Sequence, residues 1–325
     1  MPKRILVPLD GSKRSERALP VAARLARAAS GILILVRTVP KADGDTAYEG
    51  AGPFQYMGVT LTKGIDDIGE IGEARTYLAE IAAFDALDDI PTEIGVYSGP
   101  EAPTILATAR DREADAIVLC ARGQSGPTYW GLGRVARQVV EAAPIPVLVI
   151  HEEGPLPGWV YDKSPPRAVV ALDGSTQAEA ALTLAAEYVE ALAGPSLAAL
   201  RLVHVAGSEA VAEDAEAYLS AVAYEFRAGS LSHRDLLLSW SVMRGNDVAR
   251  FLTALDMRFR PAAVEEIALG PLFEADAGGE TYTTGSDTSE RSERSDLIAL
   301  SRFGYTGLEE GTLGAVTGAH RPASS

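Results

Sequence analysis

The segment Arg4-Ile-Leu-Val-Pro-Leu-Asp10-Gly11-Ser12 decides the fold of this chain, because a close copy occurs later in the sequence. The copy is Arg167-Ala-Val-Val-Ala-Leu-Asp173-Gly174-Ser175, 163 residues further on from Asp10 to Asp173. Each copy is an apolar run that ends in an acidic residue, a glycine and a serine, and an alanine-rich stretch follows it. A parallel strand buried on both faces and followed by a helix has this pattern. The sequence therefore predicts two related units in tandem.

A second shared block supports the duplication. The run that starts at Asp115 leads to Gly123 and Gly133, and a similar run that starts at Asp296 leads to Gly304 and Gly314, with an offset of 181 residues at each glycine. Two blocks in the same order are hard to obtain by chance. We predict a first domain at 1–152, a linker at 153–164 and a second domain at 165–325.

Strands and helices alternate in the first half. Short runs rich in Val, Ile and Leu predict strands, and alanine-rich segments between them predict helices. The strands are expected at 4–9, 32–39, 92–98, 116–121 and 146–151, and the helices at 15–29, 73–87, 102–113 and 133–142, with Ser12 as a cap of the first helix. This alternation favours a doubly wound α/β domain with a five-stranded parallel sheet. The stretch 41–72 interrupts it, as a surface loop or as a lid over a ligand site.

The second half repeats the alternation less completely. We expect strands at 167–172, 198–205, 236–242 and 297–300, and helices at 177–192, 209–226 and 247–255. The insert 261–295 is acidic and poor in apolar residues, which predicts disorder for most of it. Nothing near the end of the sequence corresponds to the strand at 146–151, so the second sheet is expected to lack its last strand.

Composition excludes several classes of function. The net charge of −16 disfavours binding to nucleic acid or to an anionic membrane, and no apolar run approaches the roughly 20 residues of a membrane span. One cysteine, Cys120, is typical of a reducing compartment, so we expect a cytoplasmic protein. No nucleophile elbow, Walker loop, zinc motif or other catalytic pattern is present, which argues against an enzyme.

Ligands of doubly wound sheets bind beyond the carboxyl ends of the strands. Two loops of the first half follow the ends of strands and carry groups that can bind a ligand. Residues 8–12 bring a carboxylate and a hydroxyl, and residues 122–133 form a glycine-bearing loop before a helix, which suits a phosphate group.

These blocks together resemble the universal stress protein family. The resemblance is carried by Val7-Pro8-Leu9-Asp10-Gly11-Ser12, by Gly99-Pro100-Glu101-Ala102, by Asp115-Ala116-Ile117-Val118 and by Gly133-Arg-Val135 with Pro146-Val147-Leu148-Val149. It implies Rossmann-like domains of the adenine nucleotide alpha hydrolase type, a role in stress-response signalling, dimerisation through the last strand and, in some members, ATP binding. It covers nearly all of 1–152 and, more weakly, 165–317.

Nucleotide-binding members carry a Gly-x2-Gly-x9-Gly-Ser/Thr loop. Its positions fall on Cys120, Gly123, Gly133 and Arg134, so the second and third glycines match while the first glycine and the hydroxyl residue do not. In the second half they fall on Ser301, Gly304, Gly314 and Ala315, and Glu309 and Glu310 lie in that loop. The resemblance thus implies ATP, with Mg²⁺ possible beside it, in the first domain only. The residues expected to bind it are Pro8, Leu9, Asp10, Gly11, Ser12, Val39, Cys120, Arg122, Gly123, Gly133, Arg134 and Val135.

Structural roles for the same residues remain open. Asp10 and Asp173 can cap helices, the loop glycines can serve turns, and Arg122 and Arg134 can be solvated charges. A member without nucleotide that acts by protein association, and a slow ATPase, are the alternative functions. The repeat favours an intramolecular pseudo-dimer of the two domains, and the edge strand at 146–151 favours a homodimer with another chain.

Overall fold

The computed structural model of the chain describes residues 1–39, 69–123, 132–150, 156, 158–161, 166–194, 197–229, 236–244, 267–269 and 297–299. The first domain alternates strand and helix as predicted. Its strands are β1 (Arg4–Pro8), β2 (Ile32–Val39), β3 (Thr92–Ser98), β4 (Ala116–Cys120) and β5 (Val147–Ile150). Its helices are α1 (Ala18–Ala29), α2 (Glu70–Ala82), α3 (Glu101–Asp111) and α4 (Arg134–Ala142), with short 3-10 turns at Ser15–Arg17 and Asp85–Leu87.

Sheet A contains these five strands in the order β3-β2-β1-β4-β5, all parallel. Alternate residues of each strand enter two separate cores. Ile5 and Val7 pack on the face that α1 and α2 cover, whereas Leu6 packs on the face of α3 and α4. Both faces of the inner strands are buried, which is why β1, β2 and β4 are mainly apolar runs. The predicted doubly wound α/β fold is confirmed.

Two helix boundaries differ from the prediction. The first helix begins with a 3-10 turn, and the Ser12 hydroxyl accepts a hydrogen bond from the Ser15 N–H at 3.1 Å, as expected for a cap. The predicted helix at 73–87 is split into α2 and a 3-10 turn, because Phe84 between them has an extended backbone. Most of the predicted loop at 41–72 lies outside the described residues.

The second domain repeats the strand and helix order of the first domain up to its third strand. Its strands are β6 (Arg167–Ala171), β7 (Ala198–Ala206), β8 (Leu236–Arg244), β9 (Ile267–Leu269) and β10 (Leu297–Ala299), and its helices are α5 (Thr176–Ala193) and α6 (Glu209–Ala228). Sheet B has the order β10-β6-β7-β8-β9. Strands β6, β7, β8 and β10 thus occupy the places of β1, β2, β3 and β4. Within the described residues, no strand follows β10 as β5 follows β4.

Strand β9 corrects the prediction for the second sheet. It comes from the insert 261–295, for most of which disorder was predicted, and it pairs antiparallel with β8 at the edge opposite β10. Sheet B is therefore mixed rather than wholly parallel. The pairing with β8 stabilises a three-residue strand that the surrounding acidic sequence does not indicate. The predicted helix at 247–255 lies outside the described residues.

The two domains pack through their equivalent first helices, α1 and α5. Buried residues of both domains form one apolar cluster, and Val189 and Leu192 of α5 within it are fully buried. Arg24 of α1 donates to the Leu192 carbonyl from Nε at 3.4 Å and from Nη2 at 3.3 Å. The charge of Arg24 also suits the carboxyl end of α5, where the helix dipole is negative.

Among the residues that the structure describes, no helix has the length and apolar character that crossing a membrane requires.

Candidate functional site

A cavity of about 500 Å³ opens at the carboxyl edge of sheet A. It lies where the chain order of the sheet reverses, between the ends of β1 and β4, which is the usual ligand position in such sheets. Of the residues predicted to bind the ligand, those that line the cavity are Pro8, Leu9, Asp10, Val39, Cys120, Arg122, Gly123, Gly133, Arg134 and Val135. Gly11 and Ser12 are absent from its lining.

Asp10 is held in one orientation by the loop that follows it. Its Oδ1 accepts hydrogen bonds from the Ser12 N–H at 2.9 Å and from the Ser12 hydroxyl at 2.6 Å. Gly11 between them has φ +86°, a left-handed conformation that favours glycine. The DGS segment thus forms a tight turn that fixes the carboxylate, and Ser12 acts on Asp10 rather than on the cavity.

Gly123 provides the space that the Asp10 carboxylate occupies. A Cβ atom built on Gly123 would overlap Asp10 Oδ2 and would lie 2.9 Å from its Cγ. The two predicted loops therefore meet at this contact. The sequence interpretation gave Gly123 a role towards phosphate, whereas in the structure its missing side chain seats a carboxylate.

Gly133 ends the second loop and begins α4. Its N–H donates to the Ala121 carbonyl at 2.8 Å, so this amide already has a partner inside the protein. No side chain caps α4, and the N–H groups of the first turn of a helix have no partner within the helix. Val135 and Ala136 of that turn line the cavity. The positive end of the α4 dipole therefore faces the cavity.

Two predicted arginines lie beside the start of α4. Arg122 is buried, with 9% of its surface exposed, and Arg134 is largely exposed. Arg134 Nη2 lies 3.1 Å from Oε2 of Glu101, the first residue of α3. The pKa of Glu101 is lowered, chiefly because its carboxylate accepts a hydrogen bond from its own backbone N–H and also because of Arg134.

Arg37 is a cavity residue that the sequence interpretation missed. Its guanidinium lies 5.2 Å from the centroid of the Tyr77 ring, within the range of a cation–π contact, and it packs against Gly11. The Tyr77 hydroxyl donates to Glu16 Oε1 at 3.4 Å. Burial, together with the Glu16 charge, raises the pKa of Tyr77, which therefore stays neutral. A charged residue near the carboxyl end of an apolar strand is the signal that could have found Arg37.

The remaining cavity residues were also missed by the sequence interpretation. They are Ser15, Val36, Thr38, Glu70, Glu73, Glu101, Ile105, Leu119, Ala121 and Ala136. Three arginines (37, 122 and 134) and four carboxylates (10, 70, 73 and 101) thus line the cavity. No cluster of histidine, cysteine and carboxylate side chains suited to a metal ion occurs among the described residues. Cys120 is buried at the end of β4.

The sequence model of the Universal stress protein family matches residues 1–151. Residues 1–151 belong to the universal stress protein family. A search of curated proteins found no significant match.

Two solved structures share the fold of this chain over 78% of its length, and a third is similar to a shorter part of it. A universal stress protein from Archaeoglobus fulgidus DSM 4304 shares 18% identity over 78% of this chain and 82% of its own, with a TM-score of 0.52. A putative universal stress protein from Pseudomonas aeruginosa UCBPP-PA14 shares 16% identity over 78% of this chain and 79% of its own, with a TM-score of 0.50. A universal stress protein from Archaeoglobus fulgidus in complex with dAMP shares 24% identity over 45% of this chain and 95% of its own, with a TM-score of 0.32.

The second domain repeats the DGS turn of the universal stress domain. Asp173 Oδ1 accepts from the Ser175 N–H at 3.0 Å and from its hydroxyl at 2.6 Å, nearly the distances found at Asp10. Gly174 has φ +87°, as Gly11 has +86°. The counterpart of the glycine loop, at 301–315, lies outside the described residues.

The tyrosine network is also duplicated, with one change of charge. The strand register pairs Pro8 with Val36 and Ala171 with Val203, so His204 takes the place of Arg37. The rings of His204 and Tyr218 are 6.3 Å apart and edge-on, and the Tyr218 hydroxyl donates to Glu179 Oε1 at 2.9 Å, as Tyr77 donates to Glu16. Burial is the main cause that lowers the pKa of His204. The second domain therefore holds a neutral ring where the first holds a permanent cation.

Proposed function

We propose that the cavity of the first domain binds an adenine nucleotide and that the chain acts in stress-response signalling through the bound and free states of this domain. The observation that carries the proposal is that one cavity combines a fixed carboxylate with the open start of a helix and two adjacent arginines. A carboxylate accepts hydrogen bonds from hydroxyl groups, and a helix start with arginines attracts phosphate. A nucleotide presents both groups on one small molecule.

The expected placement follows from the chemistry of the walls. Asp10 faces the ribose hydroxyls or a Mg²⁺ ion held with the phosphates, because hard cations prefer oxygen ligands. Val39 and Ile105 offer apolar surface to the base. Arg122, Arg134 and the first turn of α4 hold phosphate. ATP is the nucleotide that the family resemblance implies, and the cytoplasm is the compartment that the composition favours.

The proposal is for a binding protein and not for an enzyme. General-base catalysis of hydrolysis needs a group within hydrogen-bond reach of the attacking water. Asp10 is the best-placed carboxylate, but Ser12 occupies its Oδ1 with two hydrogen bonds. We expect no release of inorganic phosphate when the chain is incubated with ATP and Mg²⁺, measured against an enzyme-free control.

Isothermal titration with adenine nucleotides tests the proposal. We expect one site per chain. Asp10→Ala should weaken binding by about 10- to 100-fold, since hydrogen bonds to charged groups contribute about 1.5–3 kcal/mol. Asp173→Ala is the matched control, because it removes the same turn hydrogen bonds from the second domain. Equal affinity in Asp10→Ala and the unaltered chain, or no binding at all, would contradict the proposal.

A role through protein association is the second candidate. Strand β5 is the last strand of sheet A in the strand order, next to β4. A strand at the edge of a sheet can pair with a strand of another chain, so a homodimer through β5 is expected. Sedimentation or gel filtration at high protein concentration should show a dimer. A monomer at all concentrations would rule out this candidate.

A further inference from the structure

We propose that the cavity selects a nucleotide with a single phosphate group over a triphosphate, and that Glu101 is the residue that determines this choice. The inference rests on the proposed function and specifies its ligand. In the ligand-free chain the Glu101 carboxylate lies 3.1 Å from the Arg134 guanidinium, and both residues line the cavity. Glu101 therefore holds the position that a phosphate would take on Arg134.

The donors near α4 suit one phosphate group. Arg122, Arg134 and the first-turn amides of α4 lie at one helix start, whereas the amide of Gly133 already donates to Ala121. Arg37 belongs to β2, where Tyr77 and Gly11 fix its guanidinium. The described residues thus offer one compact set of phosphate donors and not a row of them.

The charges of the cavity act against further phosphates. The lining has four carboxylates against three arginines, and Glu70 and Glu73 come from the first turn of α2. A single phosphate that displaces Glu101 from Arg134 exchanges one anion for another. Among the described lining residues, the arginine that remains for a further phosphate is Arg37, which already contacts Tyr77, and the added charge lies next to a carboxylate that has just lost its partner.

Displacement of Glu101 is easy because the pair is exposed. The side chains of Arg134 and Glu101 are 67% and 47% exposed, and ion pairs so exposed contribute little to stability. The carboxylate also keeps the hydrogen bond from its own backbone N–H at the start of α3, which holds it near the cavity in the charged form. Glu101 therefore stays close enough to repel a larger anion after a small one has bound.

The test is isothermal titration of the full chain with adenosine, AMP and ATP in the presence of EDTA, so that ligand charge rises with the number of phosphates. A single phosphate carries a charge of about −2 near neutral pH. We expect the unaltered chain to bind AMP about tenfold more tightly than ATP. When a protein charge that lies about 6 Å from the ligand is eliminated, the affinity in water changes about threefold for each unit of ligand charge. At low ionic strength, Glu101→Gln should therefore tighten AMP about ninefold and ATP by a larger factor, and should leave adenosine unchanged.

Glu93→Gln is the matched control. Glu93 is 41% exposed and pairs with Arg112 at 3.4 Å, but it does not line the cavity. Its substitution should alter no affinity. ATP binding as tight as AMP binding in the unaltered chain would overturn the inference. An equal effect of Glu101→Gln on adenosine would also overturn it, since the effect would then not depend on charge. If no ligand binds, adenosine included, the proposed function itself fails.

Discussion

Substitution of Gly123 by alanine tests whether the two loops of the cavity depend on each other. A Cβ atom at this position would overlap Asp10 Oδ2 and would lie 2.9 Å from Asp10 Cγ. Carbon atoms in contact are about 3.5–4.0 Å apart, so the carboxylate must move by about 1 Å. The φ of Gly123 lies outside the left-handed range, so alanine suits the backbone and the effect is steric.

The displaced carboxylate would weaken its bonds to Ser12. Those bonds are 2.9 Å from the N–H and 2.6 Å from the hydroxyl. Overpacking of a tight site costs about 1–3 kcal/mol, and a lost hydrogen bond to a charged group contributes similarly. We expect Gly123→Ala to lower the free energy of unfolding by about 2 kcal/mol. For a domain of this size, that corresponds to a fall in Tm of about 4–8 °C.

Thermal unfolding of single and double variants provides the assay. If the clash is with the carboxylate, Asp10→Ala should relieve it, and the double variant should be at least about 1 kcal/mol more stable than additivity predicts. Gly229→Ala is the control, since its Cβ would lie 3.3 Å from the Glu225 carbonyl, and it should change stability by less than about 0.5 kcal/mol. A loss below about 0.5 kcal/mol for Gly123→Ala, or additive effects in the double variant, would refute the reasoning.

Three further predictions concern the second domain and its contact with the first. Leu192→Ala should destabilise the chain by about 2–5 kcal/mol, because Leu192 is fully buried in the shared core. An unchanged Tm in thermal unfolding would contradict this prediction. Arg24→Ala should lower the free energy of unfolding by about 1 kcal/mol, because it removes the hydrogen bonds to the Leu192 carbonyl. Limited proteolysis between the domains should become faster in this variant, and Arg110→Ala is the control. The pKa of His204 is lowered by burial, so the unfolded chain binds its proton more readily. Stability is therefore full above about pH 6.5 and is lost as the pH falls through the lower pKa of the folded state. His204→Gln should remove part of that loss between pH 8 and 5.5, and identical pH profiles of the two proteins would contradict this.

Elements with strong local patterns could be predicted from the sequence. Strand β2 has the predicted bounds, because a run of Val, Ile and Leu buried on both faces has a clear signal. Strand β3 also has the predicted bounds, although it is an edge strand with mostly half-buried residues. Strand β9 has no such signal. Ile267–Leu269 is a three-residue strand within an acidic, glycine-rich insert, and it depends on the edge of β8 for its hydrogen bonds.

The candidate site was predictable where its residues lie at strand ends within the two motifs. Asp10 and Gly123 were both expected at the cavity, but the overlap between them arises from the adjacency of β1 and β4. Glu101 was missed because it reaches the cavity only through the packing of α3, whereas Arg37 was missed although Val39 on the same strand was expected there. Gly11 and Ser12 were predicted to contact the ligand, yet in the structure they shape the turn around Asp10.

Hydrogen exchange of the full chain with and without AMP tests the central claim, the nucleotide site in the first domain, most directly. The first-turn amides of α4 lack helical partners and should exchange rapidly in the free chain. We expect AMP to slow exchange at residues 134–136 and in the segment 8–12, and to leave the equivalent segment 171–175 of the second domain unchanged. Protection of 171–175 instead, or unchanged exchange at α4 under saturating AMP, would contradict the account.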